Sequence, residues 1–559
     1  MMNNLLLHPG IILIIFGLFI PQIRNRKIIS IIPILALISL LSFQDGMQII
    51  INYHSYELIF MNIDRLSRLF SLIFVLILFA ISIFSINQDN RKEISFAYIY
   101  VGASISVVLS GDLITLFIFW ELMAIASTVI IWFGSPRSYG PGIRYLAVHL
   151  LGGTILLIGI IGYAHNTGSI YFSIISPDNI FAYFILVGFL INAGAPPFSS
   201  WIPDAYPSAS WSGTVILSAF TTKTAVFVLI KGFAGYEVLL YIGTFMIFYG
   251  IIYAILENDM RRILSYSIVN QVGFMIVAIG VGTEIAINGA SSHAFTHIIY
   301  KALLLMSAGS VFYITGKTKC TDLGGLYKTM PITMVCGIIG ALSISAFPFT
   351  SGFISKSLTV QSTVYGDMKL LWFLLTMASA GVFLHAGIKF PWFVFFQKDA
   401  KLKAKDPPAS MKIAMILLSF LCIFIGVFPG ILYSILPYEV SYMPYTLDHI
   451  SSQLQLLLFS GLAFFILLKY LKRTLTITLD FDWFWRKFGQ LVVNEFNIHL
   501  INNVAISLQK FSNLINKTID TLHKHNGPSG VLGRSWPTGN MALWTTIILG
   551  SFLLFYLFW

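Results

Sequence analysis

Apolar runs of about twenty residues follow one another along most of this chain, separated by short polar or Pro/Gly breaks. At a rise of ~1.5 Å per residue, each run matches the ~30 Å hydrocarbon core of a bilayer. With 57% of its 559 residues hydrophobic and 10% charged, no water-soluble fold could bury that much surface. The sequence therefore specifies an all-α polytopic membrane protein. About sixteen transmembrane helices are expected, at 6–22, 28–44, 66–87, 95–111, 113–133, 143–164, 180–197, 210–233, 238–256, 264–283, 287–314, 331–364, 370–396, 411–436, 452–470 and 541–559.

The charges outside these runs are asymmetric. With the N-terminus outside, the loops after odd-numbered spans carry Arg24, Arg26, Lys27, Arg91, Lys92, Arg137, Arg144, Arg261, Arg262, Lys317, Lys319, Lys328 and a cluster from Lys398 to Lys412. The connection after the fifteenth span adds Lys472, Arg473, Arg486 and Lys487, whereas the opposite side carries Arg65, Arg68 and Lys369. Positive charge held on one side is the cytoplasmic signature, so both termini are expected on the non-cytoplasmic side of a cell (inner) membrane. This bias also accounts for the net charge of +11, and no nucleic-acid partner is called for. Cys320, Cys336 and Cys422 are scattered and form no CxxC, and no Gly-rich or Walker-type loop occurs, so neither a metal nor a cofactor is expected. The opening MMNNLLLHPG lacks a basic region and a small-residue cleavage site, and the first run is read as retained.

Two spans read as broken. INAGAPPFSSW (191–201) carries Pro196 and Pro197, and SAFPFTSGFISKS (345–357) carries Pro348 and Gly352. Non-helical backbone at membrane depth persists only where protein buries it or where it lines a wet cavity. Two broken spans five apart fit the pattern of inverted-repeat transporters. Near the C-terminus, residues 494–525 place Phe496, Leu500, Val504, Leu508, Phe511, Leu514, Ile515 and Ile519 at helical spacing among polar residues. That spacing predicts an amphipathic helix lying along the membrane or a neighbour, followed by the loop 526–540 and a final anchor at 541–559.

Ionisable residues within spans are costly and point to function. FIFWELMAIAST (117–128) holds Glu121 on the fifth span, and His149 lies on the sixth. Lys223 is on the eighth, His293, His297 and Lys301 on the eleventh, Lys356 at the break of the twelfth, and His385 and Lys389 on the thirteenth. His293, His297 and Lys301 recur every four residues, so they line one helix face with ~40° of drift per step, a ladder along which protons can hop through water. A metal site is a weaker reading, because no carboxylate stands beside the histidines. Lys231 and Lys389, near span ends, are expected to snorkel to the interface.

Several stretches then carry a resemblance: WIPDAYPSAS (201–210), LENDMRRILSYSIVNQVGFM (256–275), HAFTHIIYKALLLMSAGSV (293–311), DLGGLYKTMP (322–331) and FPFTSGFISKS (347–357). Over roughly 60–470 the chain resembles the antiporter-like membrane subunits, which unite Mrp-type cation/proton antiporter subunits with the proton-pumping membrane-arm subunits of respiratory complex I. GTVILSAFTTKTAVFVLIK (213–231) is similar to the D-type subunits of Mrp antiporters, while the lateral helix and last anchor resemble the distal complex I subunit. The resemblance implies a fourteen-helix core of two inverted five-helix repeats. The chain then divides into N-terminal helices (1–94), a proton-conducting core (95–400), C-terminal core helices (401–473), a lateral segment (474–540) and an anchor (541–559).

The resemblance also implies a proton relay of Glu121, Lys223, His293, His297, Lys301 and Lys356. One position departs from the family. The lysine that usually lies nine residues before the tryptophan of W-x-P-x-A, and pairs with the fifth-span glutamate, is Asn192 here. Lys223 is the candidate to replace it as partner of Glu121.

The expected function is that of a subunit in a multi-subunit Na+ or K+/proton antiporter, a transporter rather than an enzyme by itself. Its partners would be other membrane subunits, the lipid bilayer, protons and a monovalent cation. The alternatives are a proton-pumping subunit of a complex I-like NADH:quinone oxidoreductase or related redox complex, and a non-transporting scaffold.

Overall fold

A computed structural model describes residues 7–53, 56–468, 480–527, 530 and 537–558. The described residues fall into two units, one ending at Asp482 and a second running from Trp483 onward.

The first unit is a helical membrane bundle. Among the described residues of the chain, twelve helices are long and apolar enough to cross a membrane, and shorter apolar helices stand at Pro9–Gln22, Ile180–Ala193 and Pro331–Ile344. Most expected spans find a helix within a few residues of their limits. The second does not, since 28–44 is carried by a single turn, Arg26–Ile29, and the eleven-residue helix Ile32–Ser42. Pro33 sits in the first turn of the latter, where a missing amide donor costs nothing. The eighth and tenth spans are the most enclosed: the helical windows in Gly213–Phe233 and Met260–Val281 are wholly buried, so other helices surround them.

The bundle is not purely helical. Gln48–Tyr53 and Tyr56–Asn62 pair as an antiparallel hairpin with an irregularity between Ile49 and Ile50. Its Ile59 amide donates to Asp112 Oδ2 (2.6 Å) and its Ile59 carbonyl accepts from Gly111 (2.9 Å). Asp112 Oδ1 also receives the amides of Ile114 and Thr115, so one buried carboxylate caps the fifth span and pins the hairpin to it.

The expected breaks are present and a third joins them. The seventh span stops at Ala193 and resumes as the short helix Trp201–Ala205. The twelfth stops at Ile344 and resumes at Ser351. The turn between carries two non-glycine residues in the left-handed region, Ala346 (φ 55°) and Phe349 (φ 66°). The eighth, expected as continuous, is interrupted at Phe220 (φ −110°, ψ −67°) between Gly213–Ala219 and Thr221–Phe233. No proline or glycine marks that break. The thirteenth relaxes after Val382 into π-helical turns, Phe383–Lys389 and Trp392–Phe396.

In the second unit, the expected amphipathic segment is the helix Gln490–Asn526, and the anchor is Thr538–Phe558. Residues 528–529 and 531–536 of the loop between them, and Lys472 and Arg473, lie outside the described residues.

Candidate functional site

Breaking a helix inside a bilayer frees carbonyls that water cannot reach, at a cost of several kcal/mol each unless a donor is found. Each of the three breaks finds one from a side chain. Trp201 Nε1 donates to the Ile191 carbonyl (3.0 Å), Lys223 Nζ to the Ser218 carbonyl (2.7 Å), and Lys356 Nζ to the Ile344 carbonyl (2.8 Å). Two of these three caps are amines. Lys223 adds a bond to Thr222 Oγ1 (3.1 Å), and Lys356 lies 5.0 Å from the centre of the Phe274 ring. Both are buried, at 0% and 2% exposure, so Lys356 does not snorkel.

Glu121 is not joined to Lys223. Its Oε1 is buried without a hydrogen-bond partner and packs against Gly153 of the sixth span so closely that a Cβ there would lie 1.9 Å away. Asn192 faces the preceding Gly152, again with neither side-chain polar atom bonded to protein. His149, one turn before Gly153, donates Nδ1–H to the Tyr145 carbonyl (2.9 Å), stacks on Tyr145 at 3.9 Å and meets Trp201 edge-on at 4.7 Å. Its Nε2 has no protein partner. The candidate Glu121–Lys223 pair is therefore not formed: Lys223 is committed to the break of its own helix.

Hydroxyls link this region to the eighth span. Tyr145 OH lies 2.9 Å from Ser127 Oγ and 3.5 Å from Thr221 Oγ1, and Thr221 is 2.6 Å from Tyr100 OH. Thr221 is the first residue after the Phe220 break, two before Lys223.

The second centre surrounds the eleventh span, Glu284–Thr315. His293 Nε2 donates to Gln271 Oε1 and its Nδ1 accepts from Ser355 Oγ, both at 3.1 Å. Gln271 continues through Asn270 Oδ1, and Asn270 Nδ2 donates to His385 Nε2 (3.0 Å). Tyr300 OH also donates to Gln271 Oε1 (3.2 Å). Lys301 Nζ donates to Ser267 Oγ (2.8 Å) and approaches the Leu264 carbonyl (3.4 Å). His297 is fully buried, 6.2 Å from His293 and 5.3 Å from Tyr300 between ring centres, and neither of its nitrogens has a protein hydrogen bond. The ladder of His293, His297 and Lys301 is thus assembled, with His297 its one rung not tied down.

Other residues depart from expectation. Lys389 does not snorkel: it is 8% exposed and donates to the carbonyls of Ala254 (3.1 Å), Ile255 and Glu257, closing the end of the ninth helix. Lys231, by contrast, reaches towards a span end, its Nζ 3.6 Å from Asp64, the half-exposed cap of the third span, and over the rings of Phe172 and Phe227. Sequence reasoning passed over Asn270 and Gln271 because only ionisable residues were sought, although adjacent amides inside SIVNQVGFM are themselves a signal. It also passed over Glu93, whose buried carboxylate accepts from Ser210 (2.6 Å) and Ser212 (2.8 Å) and sits in a charged stretch that reads as topogenic.

Buried amines and imidazoles thus run through a helical bundle with broken seventh, eighth and twelfth spans. Residues 110–383 match the family described as NADH:quinone oxidoreductase/Mrp antiporter, transmembrane. The D-type subunit of the Na+/H+ antiporter of Alkalihalophilus pseudofirmus is 28% identical over 302 residues, covering 50% of this chain and 61% of that protein. The A1 subunit of the Na+/H+ antiporter of Staphylococcus haemolyticus is 28% identical over 496 residues, covering 76% and 61%. The chain thus spans about six-tenths of the length of these relatives. Among solved structures, a chain of the Mrp complex of Dietzia sp. superposes with a TM-score of 0.70 at 18% identity, covering 78% of this chain and 96% of that one. A chain of the membrane-bound sulfane sulfur reductase, an archaeal respiratory membrane complex, gives 0.72 at 22% identity, covering 99% and 100%. These two likenesses show a shared fold, and the chain is a multi-pass membrane protein.

Proposed function

We propose that this chain is a subunit of a multi-subunit Na+ or K+/proton antiporter and conducts protons through Glu121, Lys223, His293, His297, Lys301 and Lys356. One observation carries the reading. Lys223, Lys301 and Lys356 are buried inside the helical bundle, and none forms an ion pair among the described residues. Amines held among hydroxyls and carbonyls, without a fixed counter-charge, can take up and release protons. A charge arriving at one alters the proton affinity of the next, and that linkage is the basis of coupling. The names of the sequence relatives favour sodium/proton exchange over other chemistry. Other membrane subunits of the complex, the lipid bilayer, protons and a monovalent cation are the partners this reading requires. The loop charges favour a cell-membrane location with both termini on the non-cytoplasmic side.

A second reading is a proton-pumping subunit of a redox complex, powered by chemistry in other chains. It is favoured by the extent of the likeness to the respiratory complex chain, which takes in the C-terminal helices as well as the core.

The test is to isolate the intact complex through a tag on this chain, reconstitute it, and follow pH-gradient collapse on adding sodium or potassium. Exchange that needs a cation gradient and no electron donor supports the antiporter. Proton movement only on adding an electron donor favours the redox complex, and none in either arm leaves the scaffold.

A further inference from the structure

We propose that His449, on the fifteenth span, is the terminal proton-exchange group of the relay, connected to Lys356 by a cavity of mixed polar and apolar lining on the face away from the Lys398–Lys412 cluster. This rests on the relay reading above.

The cavity, about 170 Å³, is bounded by the half-helix that bears Lys356, by Trp372, Thr376 and Ser379 of the thirteenth span, and by His449, Ser452 and Gln453 of the fifteenth. That volume is well above the ~10–15 Å³ that one water needs, and its hydroxyls and amide offer partners for such water. Its two ends differ. Lys356 at the inner end is 2% exposed, whereas Trp372 and Ser452 at the other are open to the outside of the bundle.

His449 is held as a transfer group would be. Its Nδ1–H donates to the Pro444 carbonyl (2.9 Å), which leaves Nε2 as the basic nitrogen, and the ring stacks on Phe353 at 4.7 Å. Phe353 lies three residues before Lys356 on the same half-helix, so the stack ties the position of His449 to the broken span itself. Gln453, one turn on, donates Nε2–H towards the Ser345 carbonyl at that break (3.4 Å). Among the residues that bound the cavity, Lys356 and His449 are the two titratable ones, and Asp448 is exposed beside His449 on its own helix. The transfer conserves protons: Lys356 gives one to water in the cavity, His449 Nε2 accepts one and releases it outward, and the reverse sequence loads Lys356.

The helix Ala409–Val427 begins beside Lys398–Lys412 and Leu447–Leu467 begins at the opposite end, so this cavity opens on the side opposite the basic loops. Nothing in the amino-acid sequence singled His449 out, because it sits within the first turn of its helix and reads as an interfacial residue.

The experiment compares His449→Ala, His449→Phe and Lys356→Ala in the assembled complex, with assembly verified by co-purification of the other subunits. His449→Phe keeps an aromatic ring against Phe353 but carries no proton. We expect both His449 variants to slow exchange about tenfold and His449→Ala to recover partly with millimolar imidazole. If His449→Ala does not assemble, His449→Gln takes its place. His449→Phe exchanging at the unchanged rate overturns the proposal, because the ring alone then suffices. Ser452→Cys gives a readout independent of activity. An impermeant thiol reagent applied from the side opposite the basic loops should modify it, the natural cysteines being buried. A Ser452→Cys variant that does not react overturns the route. Loss of exchange in Lys356→Ala with none in His449→Ala rejects only the terminal group, whereas full exchange in Lys356→Ala rejects the relay on which it depends.

Discussion

Two polar centres occupy the bundle, and they are built on opposite terms. Around Gly152 and Gly153, Glu121, Asn192 and His149 lie close to one helix, with Glu121 Oε1, both polar atoms of Asn192 and His149 Nε2 lacking protein partners. Around the eleventh span, His293, Gln271, Asn270, His385, Tyr300 and Ser355 form a continuous hydrogen-bonded chain that ends beside Lys356. A satisfied buried network is rigid, whereas groups without fixed partners can reorient or bind. On the proposed reading, the contrast suits the hydrogen-bonded part of the second centre, His297 apart, to holding a path in place and the first centre to changing state. Asn192 sharpens it, since an uncharged amide there gives Glu121 no counter-charge.

The largest effect is expected at the second centre. Lys356→Ala, and equally Lys301→Ala, should lower cation/proton exchange in vesicles at least about a hundredfold with the complex intact. Exchange at the normal rate in both would end the distinction between the centres, because neither would conduct. Glu121→Gln should cost less, about tenfold, if the first centre modulates the path without forming its only route. A loss equal to that of Lys356→Ala would make the two centres equivalent links.

Gly153→Ala tests the first centre by shape alone. The new methyl would sit 1.9 Å from Glu121 Oε1, so the carboxyl must move. Transport is expected to fall several-fold, with about 1–3 kcal/mol lost in thermal stability. Asn192→Lys sharpens the comparison in the other direction. It should raise thermal stability if the new amine pairs with Glu121, and Glu121→Gln in that background should remove the gain.

The smallest effect lies outside the spans. Burial would push the Glu257 carboxyl up, but the Arg262 guanidinium at 2.7 Å and the amides of Asn258 and Asp259 outweigh it and hold the group below its ordinary 4.5. A carboxylate with a lowered folded-state pKa stabilises fully above its unfolded value and loses that contribution as pH falls through the lowered one. Glu257→Gln should therefore cost about 1–2 kcal/mol at neutral pH and flatten the acid limb of the stability curve below about pH 4.5. An unchanged acid limb would mean that this turn contributes no pH-dependent stability.

Much of the architecture was legible because hydrocarbon imposes it. Span lengths, the broken seventh and twelfth helices and the buried amines follow from how poorly a bilayer tolerates charge and unpaired backbone. The second span, the hairpin at 48–62 and the break at Phe220 were not legible, for different reasons. The first is a short helix after a single turn, in a run whose composition suits a full span. The hairpin is fixed by Asp112, distant in sequence. The break at Phe220 has no proline or glycine and is held by the Lys223 bond to Ser218. The site divides the same way. Lys356, Lys301 and His297 announced themselves by charge in apolar runs, whereas Gln271, Ser355 and His449 became significant only through what lies opposite them.

The sequence by itself determined that this chain spans a membrane repeatedly, that it carries ionisable groups at depth, and that Asn192 stands where the family places a lysine. Those are properties of single residues measured against a solvent that penalises them. Only the tertiary structure decided that Glu121 goes without Lys223. The reach of an amine to a partner depends on how separate helices turn and break, and at the Phe220 break the nearest freed carbonyl is the one that takes it.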